Sequence, residues 1–173
     1  MPLDQQYHNA LKGIQRSLSS GRLAHAYLII GSLRGLAGEL CEEIVHSVFC
    51  PNHTGDSASC PVMQKIRNRS NPDIHWIEPQ KKTRIISVEQ IRHLQRAVFQ
   101  TAFMGGWKAV IVVGADRLGT PGKEEAGNAF LKTLEEPPEK TLFLLMTDSP
   151  DAVMPTILSR CQRVFLGQET LDV

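Results

Sequence analysis

The sequence predicts an α/β fold built on a mostly parallel sheet. Short runs rich in β-branched and other apolar residues alternate with longer stretches that have helical spacing. The strand-like runs AVIVV and TLFLLM are almost entirely apolar, as a sheet requires when helices cover both of its faces. The 173 residues, 42% of them hydrophobic and 21% charged, suit one globular domain with a sizeable core.

Five strands are expected in chain order. They occupy Ala26–Ile30, Ile74–Ile77, Ala109–Val113, Thr141–Thr147 and Arg163–Leu166. Ligands of parallel sheets usually bind at the carboxyl ends of the strands. The loops after Ile30, Val113 and Thr147 are therefore where we expect a site.

Three helices are predicted between these strands. The first presents the apolar residues Leu36, Leu40, Ile44, Val45 and Val48 on one face. The second presents Val88, Ile91, Leu94 and Val98, and Ser87 with Gln90 forms a capping-box pattern before it. The third covers about Glu124–Leu134 and must end before Pro137–Pro138.

Composition excludes several classes of protein. The formal charge is +1, so overall charge favours no class of partner, and no apolar run approaches the roughly 18–20 residues of a membrane span. The N-terminus has no basic segment followed by an apolar stretch, as a secretory signal would. The four cysteines are unevenly spaced, unlike a secreted disulfide framework. The sequence predicts a cytoplasmic protein with no membrane partner.

The loop after the first strand stands where a P-loop would, but it lacks the chemistry. Counting from Gly31 in GxxxxGK[ST], the second glycine is Leu36, the phosphate-binding lysine is Ala37 and the Mg²⁺-binding hydroxyl is Gly38. Arg34 is basic but lies ahead of the lysine position, and Glu39 adds a negative charge. We expect a plain strand–helix turn here and no bound ATP.

The acidic pair of a hydrolysing P-loop enzyme is also missing. The strand AVIVV runs into Gly114 and Ala115, where the two carboxylates would stand. Asp116 comes two places late, and we expect it to cap the following turn, although a displaced metal ligand is conceivable. Two independent elements are absent together, so ATP hydrolysis by this chain is not expected.

Three blocks carry a family resemblance. RLAHAYLIIG (Arg22–Gly31), NAFLKTLEEPP (Asn128–Pro138) and TILSRC (Thr156–Cys161) resemble the AAA+ subunits of the bacterial DNA polymerase III clamp loader, and their spacing fits as well. The resemblance extends from about residue 5 to residue 167. Within that family the degenerate P-loop beside an intact SRC block resembles the delta-prime branch.

The resemblance implies a fold, an organisation and partners. Residues 1–167 would be an AAA+ domain with a P-loop-NTPase-like sheet, and 168–173 would begin the link to a lid and a collar domain. Such a subunit is a non-catalytic scaffold, or stator, of the DNA polymerase III holoenzyme. Its partners would be the gamma/tau ATPase subunits, the delta subunit and, through the complex, the sliding clamp and primed DNA.

The resemblance also assigns roles to the SRC block. Arg160 would project as an arginine finger into the ATP site of a neighbouring subunit, while Ser159 and Cys161 set the local backbone and packing. Without the resemblance, Arg160 reads as a surface arginine at a helix end. Thr147 stands at the family's phosphate-sensing position and is expected to be structural here. The segment Leu131–Pro138 would belong to an intersubunit surface, or be a simple solvated helix stop.

A zinc module of the family is degenerate in this chain. Family members carry one cysteine, a short loop and then CxxCxxC, which together offer four thiolates. Within residues 50–66, Cys50 and Cys60 match the first two positions, but Met63 and Ile66 occupy the others. His53 could supply a third ligand and no fourth is evident, so no zinc is expected. A Cys50–Cys60 disulfide would need oxidising conditions, and Cys41 is expected to be a small buried residue.

A basic stretch, Lys65–Arg96, could contact DNA. Its candidate side chains are Lys65, Arg67, Lys81, Lys82 and Arg84. A solvated basic face is the simpler interpretation, because Trp76 alone is too little for a stacking platform. Two alternatives to the scaffold therefore remain open at this point: an ATP-hydrolysing subunit with an atypical P-loop, and a free-standing DNA-binding module.

Overall fold

The computed structural model describes residues 3–167, and the predicted link at 168–173 lies outside that range. The helices are α1 (Leu3–Ser19), α2 (Leu36–Phe49), α3 (Pro61–Arg67), α4 (Val88–Val98), α5 (Glu125–Glu135) and α6 (Pro155–Leu158). The strands are β1 (Ala26–Ile30), β2 (Ile74–Ile77), β3 (Lys108–Val113), β4 (Thr141–Thr147) and β5 (Gln162–Phe165). Short 3-10 turns occupy Ser57–Ser59, Ala115–Arg117 and Pro150–Ala152.

The five strands form one all-parallel sheet in the order β2-β3-β4-β1-β5, which confirms the predicted fold class. Ile30 is in register with Thr147, and Val113 with Met146. The carboxyl ends of β1, β3 and β4 therefore meet at one edge of the sheet, as expected. The amino ends of all five strands lie at the opposite edge.

Helices cover both faces of this sheet and produce two apolar cores. The first core joins α1, α2 and α3 to one face, and it includes Leu40 and Ile44 of α2 together with Ile29 and Leu144 of the sheet. The second joins α4, α5 and α6 to the other face, and Phe130 there packs edge-on to Phe143 at 5.9 Å between ring centroids. Every residue of β1 and of β4 is buried. This explains why those two strands have no polar alternation.

The predicted helix starts and stops are close to those observed. The capping box before α4 is present: the Ser87 hydroxyl accepts the Gln90 N–H at 3.2 Å, and the Gln90 side chain accepts the Ser87 N–H at 2.8 Å. The helix expected at about 124–134 runs from Glu125 to Glu135. The last strand begins at Gln162, one residue earlier than predicted.

Besides the three predicted helices, the structure has α1, α3 and the four-residue α6. In α1, Tyr7, Leu11, Ile14 and Leu18 recur with helical spacing and pack on the first core, so the signal was present. The seven-residue α3 begins at Pro61, a residue well suited to a first helical turn. It is too short for its periodicity to stand out.

Candidate functional site

The loop after β1 is packed in a way that leaves no room for P-loop chemistry. Ala37, at the lysine position, is fully buried in the first core. A Cβ built at Gly38, the hydroxyl position, would lie 2.8 Å from the Leu33 carbonyl oxygen. A side chain at residue 38 would therefore force the loop to move. Arg34 is exposed and lines the cavity next to this loop.

The end of β3 differs from one expectation. Gly114 adopts a left-handed conformation (φ 93°) and is itself the N-cap of the turn Ala115–Arg117, so Asp116 does not cap that turn. Instead, the Asp116 carboxylate accepts a hydrogen bond from the Thr147 hydroxyl at 2.8 Å. Thr147 is fully buried, and its oxygen also accepts the Ser149 N–H at 3.0 Å. Thr147 and Asp116 are thus hydrogen-bonded to each other, which agrees with the structural role expected for Thr147.

A cavity of about 620 Å³ lies at the same carboxyl edge. Its charged lining comprises Arg34, Arg67, Arg69, Lys81, Arg84, Arg117, Glu42, Glu78, Asp116 and Asp148. Three of these arginines pair with carboxylates of the cavity: Arg67 with Glu42 at 3.1 Å, Arg117 with Asp116 at 3.3 Å, and Arg69 with Glu78. The Arg69 guanidinium also lies 4.2 Å from the Trp76 ring. Three of the six basic side chains that line this cavity are therefore paired with carboxylates within it.

The proposed DNA-facing residues are all exposed, and three of the five line the cavity. Arg67, Lys81 and Arg84 line the cavity, whereas Lys65 and Lys82 are not among its lining residues. Arg67 is engaged with Glu42, as described above.

Arg160 lies away from this cavity. It follows α6 and precedes β5, which places it at the amino edge of the sheet, and it does not line the carboxyl-edge cavity. Its guanidinium pairs with Glu135 at 3.1 Å, and its side chain remains 52% exposed. Glu135 belongs to the LKTLEEPP block, so two of the sequence blocks meet here.

The neighbours of Arg160 hold its backbone. The Arg160 N–H donates to the Ile157 carbonyl at 3.0 Å, and the Ser159 hydroxyl donates to the Thr156 carbonyl at 2.9 Å. Cys161 packs against the second core, and burial raises the pKa of its thiol to about 11. It is therefore a packed, protonated thiol at neutral pH.

Comparison with known proteins identifies the family. A protein-family model described as "DNA polymerase III, delta subunit" matches residues 6–170. The DNA polymerase III subunit delta' of Haemophilus influenzae is 39% identical over 145 residues, and that of Pseudomonas aeruginosa is 36% identical over 140. These alignments cover 81% and 80% of this chain. The chain belongs to the delta-prime family of DNA polymerase III subunits.

This chain spans 42% of the length of each of these two relatives. A solved structure of a DNA polymerase III gamma subunit-related protein from Thermotoga maritima superimposes with a TM-score of 0.66 at 25% identity. It covers 93% of this chain and 47% of that one. The AAA+-type fold and the resemblance to clamp-loader subunits are confirmed. No helix among residues 3–167 is both long and apolar enough to cross a membrane.

The four-thiolate zinc set of the delta-prime resemblance does not fit this chain. Met63 and Ile66, at its third and fourth positions, are fully buried in the first core and serve packing. Cys41 is also buried there, as predicted. The cysteines Cys50 and Cys60 are free, and their sulfur atoms lie 4.0 Å apart.

The structure brings a fourth potential donor, His46, next to the three that the sequence suggested. His46, Cys50, His53 and Cys60 each offer a donor atom, and these atoms all lie within 4.8 Å of one another. Burial lowers the pKa of His46, whereas burial and the neighbouring Cys60 raise the pKa of Cys50. His46 could have been noticed in the sequence, because it stands four residues before Cys50 and so shares its side of a helix.

Proposed function

We propose that this chain is the AAA+ portion of a clamp-loader subunit that binds no ATP itself and supplies Arg160 to the ATP site of a neighbouring subunit. The carrying observation is the position of Arg160. It lies at the amino edge of the sheet. Its exposed guanidinium forms one ion pair among the described residues, with Glu135. The chain's own degenerate loop lies at the opposite edge, so an arginine at this position can serve only a site outside the chain.

The chemistry of a guanidinium suits this role. During phosphoryl transfer, charge is spread over the oxygens of the transferred group, and an arginine supplied by a partner stabilises it. Arginine is always charged and presents a planar fork of donors. The ion pair with Glu135 would keep the side chain extended on the surface until a neighbour docks.

The packing of the degenerate loop supports the non-catalytic half of the proposal. Ala37 is buried where a lysine would be needed, and Gly38 has no room for a hydroxyl-bearing side chain. The carboxylate closest to the missing acidic pair, Asp116, is engaged with Thr147 and Arg117. These contacts argue against the ATP-hydrolysing alternative.

The partners follow from the same proposal. The gamma/tau ATPase subunits and the delta subunit would flank this chain in the cytoplasmic replisome. The sliding clamp and primed DNA would be reached through the complex. Half of the basic side chains in the carboxyl-edge cavity are paired with carboxylates, which weakens the case for the free-standing DNA-binding module.

The experiment reconstitutes the full-length protein with its ATPase subunits, the delta subunit, clamp and primed DNA. Arg160→Ala is expected to lower ATP turnover while gel filtration shows the complex intact. Arg92→Ala is the matched control, because Arg92 is another exposed arginine paired with a glutamate of α5, Glu125, at 3.5 Å. Equal turnover for Arg160→Ala and Arg92→Ala in assembled complexes would refute the finger.

A further inference from the structure

Two sulfur and two imidazole nitrogen donors converge where α2 ends and α3 begins. His46 and Cys50 stand four residues apart at the carboxyl end of α2, Cys60 directly precedes α3, and His53 lies in the loop between. Their donor atoms lie within 4.8 Å of one another. The two sulfur atoms are 4.0 Å apart, close to the separation of about 3.8 Å that two Zn–S bonds of about 2.3 Å make at a tetrahedral ion.

His46 supplies an independent sign that something is bound here. Its side chain is only 5% exposed, and its Nε2 atom is buried with no hydrogen-bond partner among the described residues. A buried polar nitrogen without a partner costs free energy, so native structures rarely leave one. A metal ion at the centre of the cluster would satisfy this lone pair.

His53 is oriented as metal-bound histidines usually are. Its Nε2 atom lies 3.1 Å from the carbonyl oxygen of Asp56. A carbonyl can only accept, so Nε2 carries the proton and Nδ1 keeps a free lone pair. Donation of the second ring N–H to a backbone carbonyl is a common way of fixing a histidine ligand.

The loop that carries His53 is held in place by its own contacts. The Ser57 hydroxyl donates to the Glu43 carboxylate at 2.6 Å, which ties the loop to α2. The Cys60 N–H donates to the Ser57 carbonyl at 3.0 Å. The donors are thus brought together by the fold and would need only small movements to contact an ion.

We propose that His46, Cys50, His53 and Cys60 form a closed, structural zinc site. Two thiolates and two imidazoles are the donors that Zn²⁺ prefers, whereas Mg²⁺ and Ca²⁺ require oxygen ligands. Four protein donors complete a tetrahedron and leave no position for water or substrate, so the role is structural. The site keeps two thiolates of the degenerate module and replaces the other two by histidines from α2 and from the loop.

The first test measures metal in the purified full-length protein, prepared with reductant and without chelators. We expect about one zinc ion per chain. His53→Asn and Cys50→Ser should each lose most of the zinc. His53→Cys, which replaces the imidazole by a thiolate donor, should retain it. His8→Asn is the matched control, because His8 is an exposed histidine of α1 outside the cluster and should leave the zinc content unchanged.

The second test uses Co²⁺ in place of zinc and does not depend on any variant. Co²⁺ added to the reduced, metal-free protein should give thiolate charge-transfer absorption and the intense visible bands of a tetrahedral ion. The proposal is overturned if reduced protein incubated with Zn²⁺ retains no stoichiometric metal. It is also overturned if folded His53→Asn protein holds as much zinc as the wild type, or if Cys50 and Cys60 are joined by a disulfide under reductant.

Discussion

Arg160 is held at the surface by a contact that can be given up at little cost. The pair with Glu135 is about half exposed on both sides, and such pairs contribute at most about 1 kcal/mol to stability. A phosphate group of ATP bound to a neighbouring subunit could therefore replace Glu135 as the partner of the guanidinium without destabilising this chain. The ion pair orients the side chain but does not bind it firmly.

Helix propensity alone predicts that Gly38→Ala stabilises the protein, but the packing around Gly38 predicts the opposite. Replacing a helical glycine by alanine normally stabilises a protein by up to about 1 kcal/mol. At Gly38 the new Cβ would lie 2.8 Å from the Leu33 carbonyl oxygen, so Gly38→Ala is expected to lower the free energy of unfolding by about 1–2 kcal/mol. Urea denaturation measures the change.

Gly13 is the matched control for that substitution. It lies within α1, and a Cβ there would meet nothing within 4 Å. Gly13→Ala should therefore stabilise the protein by about 0.5–1 kcal/mol. Equal effects of the two substitutions would mean that the loop after β1 is not packed as described.

At the residue scale, the sequence showed which P-loop side chains are absent, but it did not show which contacts the polar residues at this edge make. The loss of the P-loop lysine and hydroxyl is read directly from Ala37 and Gly38. The hydrogen bond between Asp116 and Thr147 joins residues 31 positions apart, so only the register of β3 and β4 reveals it. The same holds for the pairing of Arg160 with Glu135, 25 positions away.

Among the elements, β3 begins with a charged residue that fastens the loop after α4. Lys108 is only 7% exposed, and its ammonium group donates to the carbonyl oxygens of Val98 and, at 2.7 Å, of Gln100. These bonds tie the end of α4 to the sheet. Lysine was not expected in the strand, and its polar role is invisible in the pattern of apolar residues.

Lys108→Met is expected to lower the free energy of unfolding by about 2 kcal/mol. The methionine keeps most of the apolar stem but leaves two carbonyl groups without their donor. Denaturant unfolding of Lys108→Met and of Lys12→Met measures the effect. Lys12 is an exposed residue of α1, so its substitution should change stability by less than about 0.5 kcal/mol. A similar small effect at Lys108 would contradict the fastening role.

The pH dependence of stability should have a contribution from β2. Burial lowers the pKa of His75; Lys108 and His93 act in the same direction, while Asp73 opposes them. The unfolded chain, in which histidine titrates near 6.5, then binds more protons than the folded chain below that pH. The free energy of unfolding should therefore fall as the pH drops below about 6.5.

His75→Gln should flatten this fall, whereas His8→Gln, at an exposed position, should not. Urea unfolding at intervals from pH 7.5 to pH 5 distinguishes the two variants. If both variants keep the slope of the wild type, His75 does not carry the effect.

The elements that the sequence predicted correctly are those whose apolar residues follow a clear strand or helix pattern. The strands β1 and β4 and the helix α4 have unmistakable apolar patterns and, for α4, a complete capping box. α3 has only seven residues and was missed, since its role is to bury Met63 and Ile66 in a core assembled from distant segments. The cluster around His46 depends on that same assembly, so the sequence suggested only three of its four donors.

For the molecule as a whole, the parallel sheet places the degenerate loop and Arg160 at opposite edges. The carboxyl edge holds a degenerate loop, a cavity in which three of six basic side chains are paired, and the hydrogen-bonded Thr147–Asp116 pair. The amino edge holds the exposed Arg160. Under the proposed function, such a chain would not hydrolyse ATP itself, and Arg160 would act on the ATP site of a neighbour.

The most direct test of this account is single-turnover ATP hydrolysis at the one site that faces Arg160. The complex would contain full-length protein and ATPase subunits whose other P-loop lysines are replaced, so that only this site can react. We predict that Arg160→Ala lowers the hydrolysis rate constant by about 10³-fold or more, with nucleotide affinity changed by less than about tenfold. An unchanged rate constant in an intact complex would contradict the account.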